Sequence, residues 1–480
     1  MLFAVFLLTI ITISFIHLKL KQRKLPKGPQ PLPLIGNLHQ IGYYAKTHGG
    51  LVEGFKEFRR RYGDVFTVWL GPFPTVHICD YALAQETHLK QANSYAHRFV
   101  KGILDYIREG RGIVASNGDF WQEHRRFALH TLRNFGLGRN IMEGRILEEI
   151  DYRSSTFFDL LIGSIINQLL ISERFKKNDA TFEKIKTSLE AALENLTILE
   201  GFTPVWILKS RLFKFRHEYM FGPFDAIHNI IKNNIANRVA EIVRGDHVLS
   251  EDGNDFLDAY LYKIQCDKES GISYILDTLA VDMFDLWQAG QETTSTTLSW
   301  GFLCLLRHPE VVEKLRKELN RITMDGSRNL SLSDKPNTPY LNATINEVQR
   351  VASILNINLF RELQEDTYID GQLVGAGAAV TVELSLLHTD EKVFENPGEF
   401  NPDRFITNEG LEKKLIPFGI GKRACLGESL ARAELYLVLG NLILRYNIEP
   451  VGELPPLRSL TPFGGMKRPP PYELRLKPIK

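Results

Sequence analysis

Apolar residues recur at helical spacing along most of this chain and alternate in strand-like fashion in only a few short places. Leu51 to Tyr62 reads as a helix. Val65-Phe66-Thr67-Val68-Trp69-Leu70, the turn Gly71-Pro72 and Thr75-Val76-His77-Ile78 read as a β-hairpin. Beyond residue 120 helices dominate: Phe182 to Leu199 and Phe224 to Val243 carry the helical pattern, and Gly245 to Asp255 is a polar loop. The longest stretch, Ile275 to Leu306, is closed by Arg307-His308-Pro309. Its roughly 32 residues would run about 48 Å, across the whole body of a domain. Strand-like pieces return near Thr367 to Val380 and at the C-terminus. The pattern predicts a mainly α fold with a small β region, forming one large domain over residues 37–480. No internal repeat or Rossmann glycine pattern is present, so the chain is not expected to bind a nicotinamide itself.

The first residues follow another rule. Met1 to Leu18 is apolar apart from Thr9, Thr12, Ser14 and His17, and Lys19, Lys21, Arg23 and Lys24 follow at once. As a helix this run would extend about 27 Å, enough for a bilayer core. Positive charge after the apolar run, with no small-residue cleavage site, predicts a retained anchor over residues 1–18 with the body on the cytosolic side. Pro26, Pro29, Pro31 and Pro33 then stiffen a basic, proline-rich tether over residues 19–36.

Composition narrows the chemistry. At 480 residues, 44% hydrophobic and 24% charged, the chain has ample core and no disorder signature. A net charge of +1 excludes the basic excess of a nucleic-acid binder. Only Cys79, Cys266, Cys304 and Cys425 occur, with no CxxC pair, which excludes a disulfide framework or zinc ladder.

One cysteine has unusual neighbours. Phe418-Gly419-Ile420-Gly421-Lys422-Arg423-Ala424-Cys425-Leu426-Gly427 places Cys425 among three glycines and beside a cation. Glycine lets a backbone approach a flat ligand closely and take φ > 0. Arg423 offers a planar fork suited to a carboxylate. The apolar run from Leu430 to Val438 reads as a helix, so Cys425 falls just before a helix N-terminus, a location that lowers a thiol's pKa. A buried cysteine at a loop-to-helix junction is the plain alternative.

Elsewhere, Ala289-Gly290-Gln291-Glu292-Thr293-Thr294-Ser295 interrupts the longest helix with residues poorly suited to it. Gly290 costs about 1 kcal/mol against alanine. A threonine hydroxyl can bond back to the carbonyl one turn earlier. Glu347-x-x-Arg350 and Trp121-x-x-x-Arg125 each lie on one helical face.

The decapeptide ending in Gly427 resembles the haem-thiolate loop of the cytochrome P450 family, and the likeness runs in order from about Pro26 to the C-terminus. Within the family the chain looks most like the microsomal animal drug- and lipid-oxidising clan, on Ser116-Asn117-Gly118 and Gln291-Glu292-Thr293-Thr294-Ser295-Thr296-Thr297. The resemblance implies a single haem domain with haem b as cofactor and dioxygen as co-substrate. Electrons would come from NADPH through cytochrome P450 reductase, with cytochrome b5 a further donor. It implies an endoplasmic reticulum location facing the cytosol and a lipophilic substrate.

Carried over residue by residue, Cys425 would ligate the haem iron, within a loop of Phe418, Gly419, Arg423 and Gly427. Trp121, Arg125, Arg98 and Arg361 would join Arg423 at the haem propionates. Glu292 and Thr293 would deliver protons, beside a groove of Ala289 and Gly290. Glu347, Arg350 and Arg404 would form a buried triad. Val114, Ala115, Phe284, Gln288, Ile354, Leu355, Leu359 and Gly465 would line the substrate pocket. Lys413, Lys414, Lys422, Arg126 and Arg432 would face the reductase. Phe360 and Gly375-Ala376-Gly377 depart from the clan's usual residues, and Gln288 stands where many relatives have a small one. A haem-thiolate isomerase or dehydratase, and a haem sensor or electron carrier, are the alternatives.

Overall fold

Regular packing of helices on a small curved sheet organises the chain, which the computed structural model describes at residues 9, 12, 13, 15, 16, 18–135, 140–153, 158–194, 203, 205–211, 214–251, 253–266, 275–459 and 465–479. Most of the expected anchor, Met1 to Leu18, lies outside the described residues. Among the described residues no helix is long and apolar enough to cross a membrane.

Two helices, α1 (Leu38–His48) and α2 (Leu51–Tyr62), precede the hairpin of β1 (Val65–Leu70) and β2 (Phe73–Ile78). Gly71 closes that hairpin at φ 62°, a left-handed conformation that glycine adopts without strain. Short strands complete the sheet: β3 (His97–Arg98), β4 (Arg361–Glu362) and β7 (Ala379–Val382), in the order β1-β2-β7-β4-β3. β2 and β7 run parallel, with Thr75 opposite Ala379. A two-stranded ribbon of β5 (Thr367–Ile369) and β6 (Gln372–Val374), and a second of β8 (Tyr446–Val451) and β9 (Glu473–Pro478), account for the remaining strand signal. The two-residue strands β3 and β4 carry no readable alternation, which is why the sequence pattern misses them.

The helical side holds α3 (Gly118–Asn134), α4 (Phe158–Ile171), α5 (Lys214–Arg244), α6 (Leu276–Arg307), α7 (Pro339–Ala352) and α8 (Glu428–Arg445). α5 begins ten residues before the expected Phe224 and runs through Pro223. Buried Met220, Phe221 and Phe224 hold it on both sides of the proline, offsetting the lost backbone bond. α6 packs against α4, α5, α7 and α8 and is buried over most of its length. A Cβ at Gly290 would come within 2.6 Å of Ile166 on α4. The close approach of α4 therefore requires glycine at this position.

Candidate active site

The Cys425 loop is folded by its own backbone. Gly419 N–H donates to Ile416 O at 3.0 Å, Ala424 N–H to Gly421 O at 2.9 Å and Cys425 N–H to Phe418 O at 2.9 Å. Gly419 and Gly421 sit at φ 74° and 83°, and a Cβ on Gly421 would lie 2.4 Å from His88 O. Gly427 differs. Its φ is −91° and a Cβ there would meet nothing within 4 Å. The protein itself thus sets no demand for glycine at 427, whereas a flat ligand lying over the loop would. Phe418 is half-buried and stacks under Arg432, whose guanidinium is 4.9 Å from the ring centroid.

Cys425 keeps an accessible surface although protein surrounds it. Burial pushes its thiol pKa up, opposed by the Gly427 N–H and by Arg125. This corrects the sequence argument: the helix terminus is real, since Gly427 caps α8, but desolvation outweighs it.

Four arginines converge near this loop, and every acceptor they reach is neutral. Arg423 donates to Ala96 O at 2.7 Å, Ser116 O at 2.7 Å and Asn117 Oδ1 at 2.8 Å. Arg125 donates to Ala424 O at 2.7 Å. Arg98 donates to Val114 O at 3.1 Å and Leu359 O at 2.9 Å. Arg361, opposite Arg98 in the sheet and buried, donates to Leu359 O and Asn358 Oδ1. Burial, then Arg98 and Arg125, pull the Arg423 pKa down to about 8. Burial and Arg125 bring Arg98 to about 9. The Arg423 guanidinium lies 3.5 Å from the Trp121 ring centroid. Arg423 Nη1 and Trp121 Nε1 are buried without a partner. Among the described residues these clustered cations hydrogen-bond no carboxylate and leave donors orphaned, which is the chemistry of an anion site, with Asp285 the only acid that acts on Arg98 from a distance. A porphyrin with two propionates fits it.

Along α6, Leu286, Gln288, Ala289, Gly290 and Thr293 are exposed or half-exposed between buried residues, and the spacing of Leu286, Ala289, Gly290 and Thr293 places these four on one face as an accessible stripe. Thr293 Oγ1 donates to Ala289 O at 2.6 Å, the back-bond its position predicts. Glu292 lies behind the stripe, buried, with its carboxylate 2.8 Å from Arg468. Burial raises the Glu292 pKa to about 7, while Arg468 holds it down. Sequence spacing gave no sign of Arg468, which stands 176 residues away.

A closed circuit of contacts links α6 to the cysteine loop. Glu292 binds Arg468, and Met466 pairs with Leu355 in an isolated bridge. The 354–361 loop reaches the cysteine loop through Asn358, whose Oδ1 lies 3.1 Å from where a Gly419 Cβ would be. Arg423 then binds Ser116 and Asn117. Val114 N–H returns to α6 by donating to Asp285 Oδ2 at 2.9 Å. Of the expected pocket residues, Val114, Gln288, Ile354 and Leu355 are half-exposed on this circuit, and Leu359 and Gly465 are exposed. Ala115 and Phe284 are not: both are buried, and Phe284 packs against Phe224, His228 and Arg108. Phe284 faces core, not pocket.

Away from the circuit, Arg350 grips Glu347 through two bonds of 2.7 and 2.8 Å, and Arg404 reaches the same carboxylate at 3.1 Å. The backbone carbonyls of His388, Pro397 and Glu399 take the remaining Arg350 donors.

The residues present fit a haem: Cys425 would hold the iron, the arginines beside its loop would take the propionates, and Thr293 on α6 would supply a hydroxyl. The family model described as Cytochrome P450 matches residues 26–476. The chain is similar to probable cytochrome P450 cyp-35D1 of Caenorhabditis elegans, at 39% identity over 96% of each chain. It is also similar to cytochrome P450 2B2 of Rattus norvegicus, at 34% identity over 94% of this chain and 93% of the other. A solved zebra fish cytochrome P450, determined with progesterone, superposes with a TM-score of 0.77 at 25% identity, over 88% of this chain and 98% of that one. The chain belongs to the cytochrome P450 family and is a monooxygenase of the haem-thiolate type.

Proposed function

We propose that the protein inserts one oxygen atom into a lipophilic small molecule, with haem b held by Cys425 and electrons drawn singly from NADPH through a membrane-bound reductase. Bound haem would supply dioxygen activation at its iron. The observation that carries this reading is that Cys425 on its loop and the Ala289–Thr293 segment of the mostly buried α6 both stay accessible and are linked by the contacts through Arg468, Asn358 and Arg423.

The chain's own residues then have separable tasks. Arg423 and Trp121 would hold the propionates with donors that nothing among the described residues matches, and Arg98 and Arg125 would add positive charge beside them. The Thr293 hydroxyl gives its hydrogen to Ala289 O and so presents its lone pairs to a proton donor or bound water. Glu292, with a pKa of about 7, exchanges a proton at little cost at neutral pH. Apolar Val114, Ile354, Leu355 and Leu359 favour a lipophile and exclude water.

The residues 1–18 anchor would place the protein on the endoplasmic reticulum membrane with this domain in the cytosol. Lys413, Lys414 and Arg126 are exposed, as is Lys422 beside Asn93, and Arg432 is partly neutralised by Glu428. These cations would dock the acidic reductase, with cytochrome b5 as a second donor. Aerobic turnover with reductase, NADPH and a panel of lipids and xenobiotics tests the reading. A product heavier by one oxygen atom is expected. NADPH consumption indifferent to every added lipophile would count against it.

A further inference from the structure

Gln288 belongs to α6 beside the accessible stripe, between buried Trp287 and exposed Ala289. Its Oε1 accepts from Arg108 Nη2 at 3.3 Å. A guanidinium only donates, so the amide orientation follows from chemistry: oxygen toward Arg108, nitrogen away from it. Arg108 is itself immobilised. Its Nε donates to Asp285 Oδ1 at 2.8 Å, with side chains only 4% and 1% exposed. The other Asp285 oxygen is taken by Val114 N–H. The Arg108 guanidinium also lies 5.4 Å from the Phe284 ring centroid. Asp285, Arg108 and Gln288 thus form a chain in which each member fixes the next. At its end, Gln288 Nε2 meets no acceptor among the described residues, yet it is not sealed in the core.

We propose that Gln288 determines substrate specificity by donating from Nε2 to a hydrogen-bond acceptor on the substrate: a carbonyl, ester or ether oxygen of an otherwise lipophilic molecule. The inference rests on the functional reading above and narrows its substrate class. Gln288 stands about 7.5 Å along the helix axis from Thr293. A molecule tethered by its oxygen therefore offers for oxidation a carbon several bonds away, not the carbon bearing the acceptor. A plain hydrocarbon filling the same space leaves the Nε2 donor dry and unpaired, which disfavours it.

The test titrates the haem-loaded enzyme with matched ligands, a long-chain ketone and the alkane having a methylene in place of the carbonyl. Binding is read from the change in the haem spectrum. Gln288→Met keeps the length and removes the donor. Gln288→Glu keeps the Arg108 contact and replaces the donor with an acceptor. The ketone-to-alkane affinity ratio should fall roughly fivefold to tenfold in both variants relative to the parent, as loss of one neutral hydrogen bond requires. The preferred position of oxidation on the ketone should also spread. If the ratio is unchanged in the two variants while both ligands still perturb the spectrum, the Gln288 assignment is overturned and the monooxygenase reading stands. If no lipophile perturbs the spectrum of the parent enzyme, both fall together.

Discussion

Two groups of arginines in this protein have opposite surroundings. Arg350 and Arg404 share the Glu347 carboxylate, and backbone carbonyls take their other donors. Arg98, Arg125 and Arg423 crowd one another and, among the described residues, hydrogen-bond only neutral oxygens and leave Arg423 Nη1 unpartnered. The residue type is the same, and Arg423 is buried as deeply as Arg404, while Arg98 and Arg125 beside it are half-buried. What differs is whether the compensating charge lies within the chain. A buried cation matched inside the fold is scaffold; one left unmatched is a receptor for an anion from outside.

The largest effect should come from breaking the matched group. Arg350→Ala removes both short bonds to the buried Glu347 carboxylate, leaves it only the longer Arg404 contact and the Asn401 N–H, and is expected to cost about 3–5 kcal/mol, seen as a collapse of folded yield or a much earlier denaturation midpoint. Next is the unmatched group, where the comparison is most exposed. Arg423→Met should weaken haem retention by about 1.5–3 kcal/mol yet leave the haem-free protein as stable as before, or more so. If this variant destabilises the haem-free protein as much as Arg350→Ala does, the distinction between the two groups is lost.

Arg468 is the intermediate case, a cation matched by a carboxylate that also has chemistry to do. Glu292 donates only when protonated, so coupling of NADPH use to product should decline as pH rises through about 7. Arg468→Met removes the influence that lowers this pKa and leaves burial unopposed. The decline should then move upward by about one pH unit or more. A profile that stays put would detach Glu292 from proton delivery. The smallest effect belongs to the solvated cations: Lys413→Ala or Lys414→Ala should weaken reductase coupling by about twofold, with a loss that fades at high salt.

Legibility in the sequence followed the range of the interaction. α2 and the β1–β2 hairpin are local patterns: α2 and β1 keep the bounds their spacing gives, while β2 begins at Phe73, two residues before the expected Thr75. α6 likewise matches its apolar run to within a residue at each end. Cysteine, glycines and arginine near residue 425 announce themselves because they are packed into ten positions. Long-range partners do not. The Glu292–Arg468 pair joins residues 176 apart, and the Arg108–Asp285 pair joins residues 177 apart; neither leaves a periodic trace. The Cys425 thiol was misjudged for a related reason. A helix N-terminus can be read from the chain, whereas desolvation depends on everything that folds around the sulfur. Phe284 was misplaced in the same way, since an apolar residue one turn from Gln288 can face core or cavity.

The central claim is that Cys425, rather than any histidine, faces the metal. The ferrous carbon monoxide adduct of the intact haem-loaded protein tests it most directly. The account predicts the long-wavelength band of a thiolate-ligated haem, abolished in Cys425→His without loss of the fold. A band like that of a histidine-ligated globin in the unaltered protein, or one that survives Cys425→His, would contradict it.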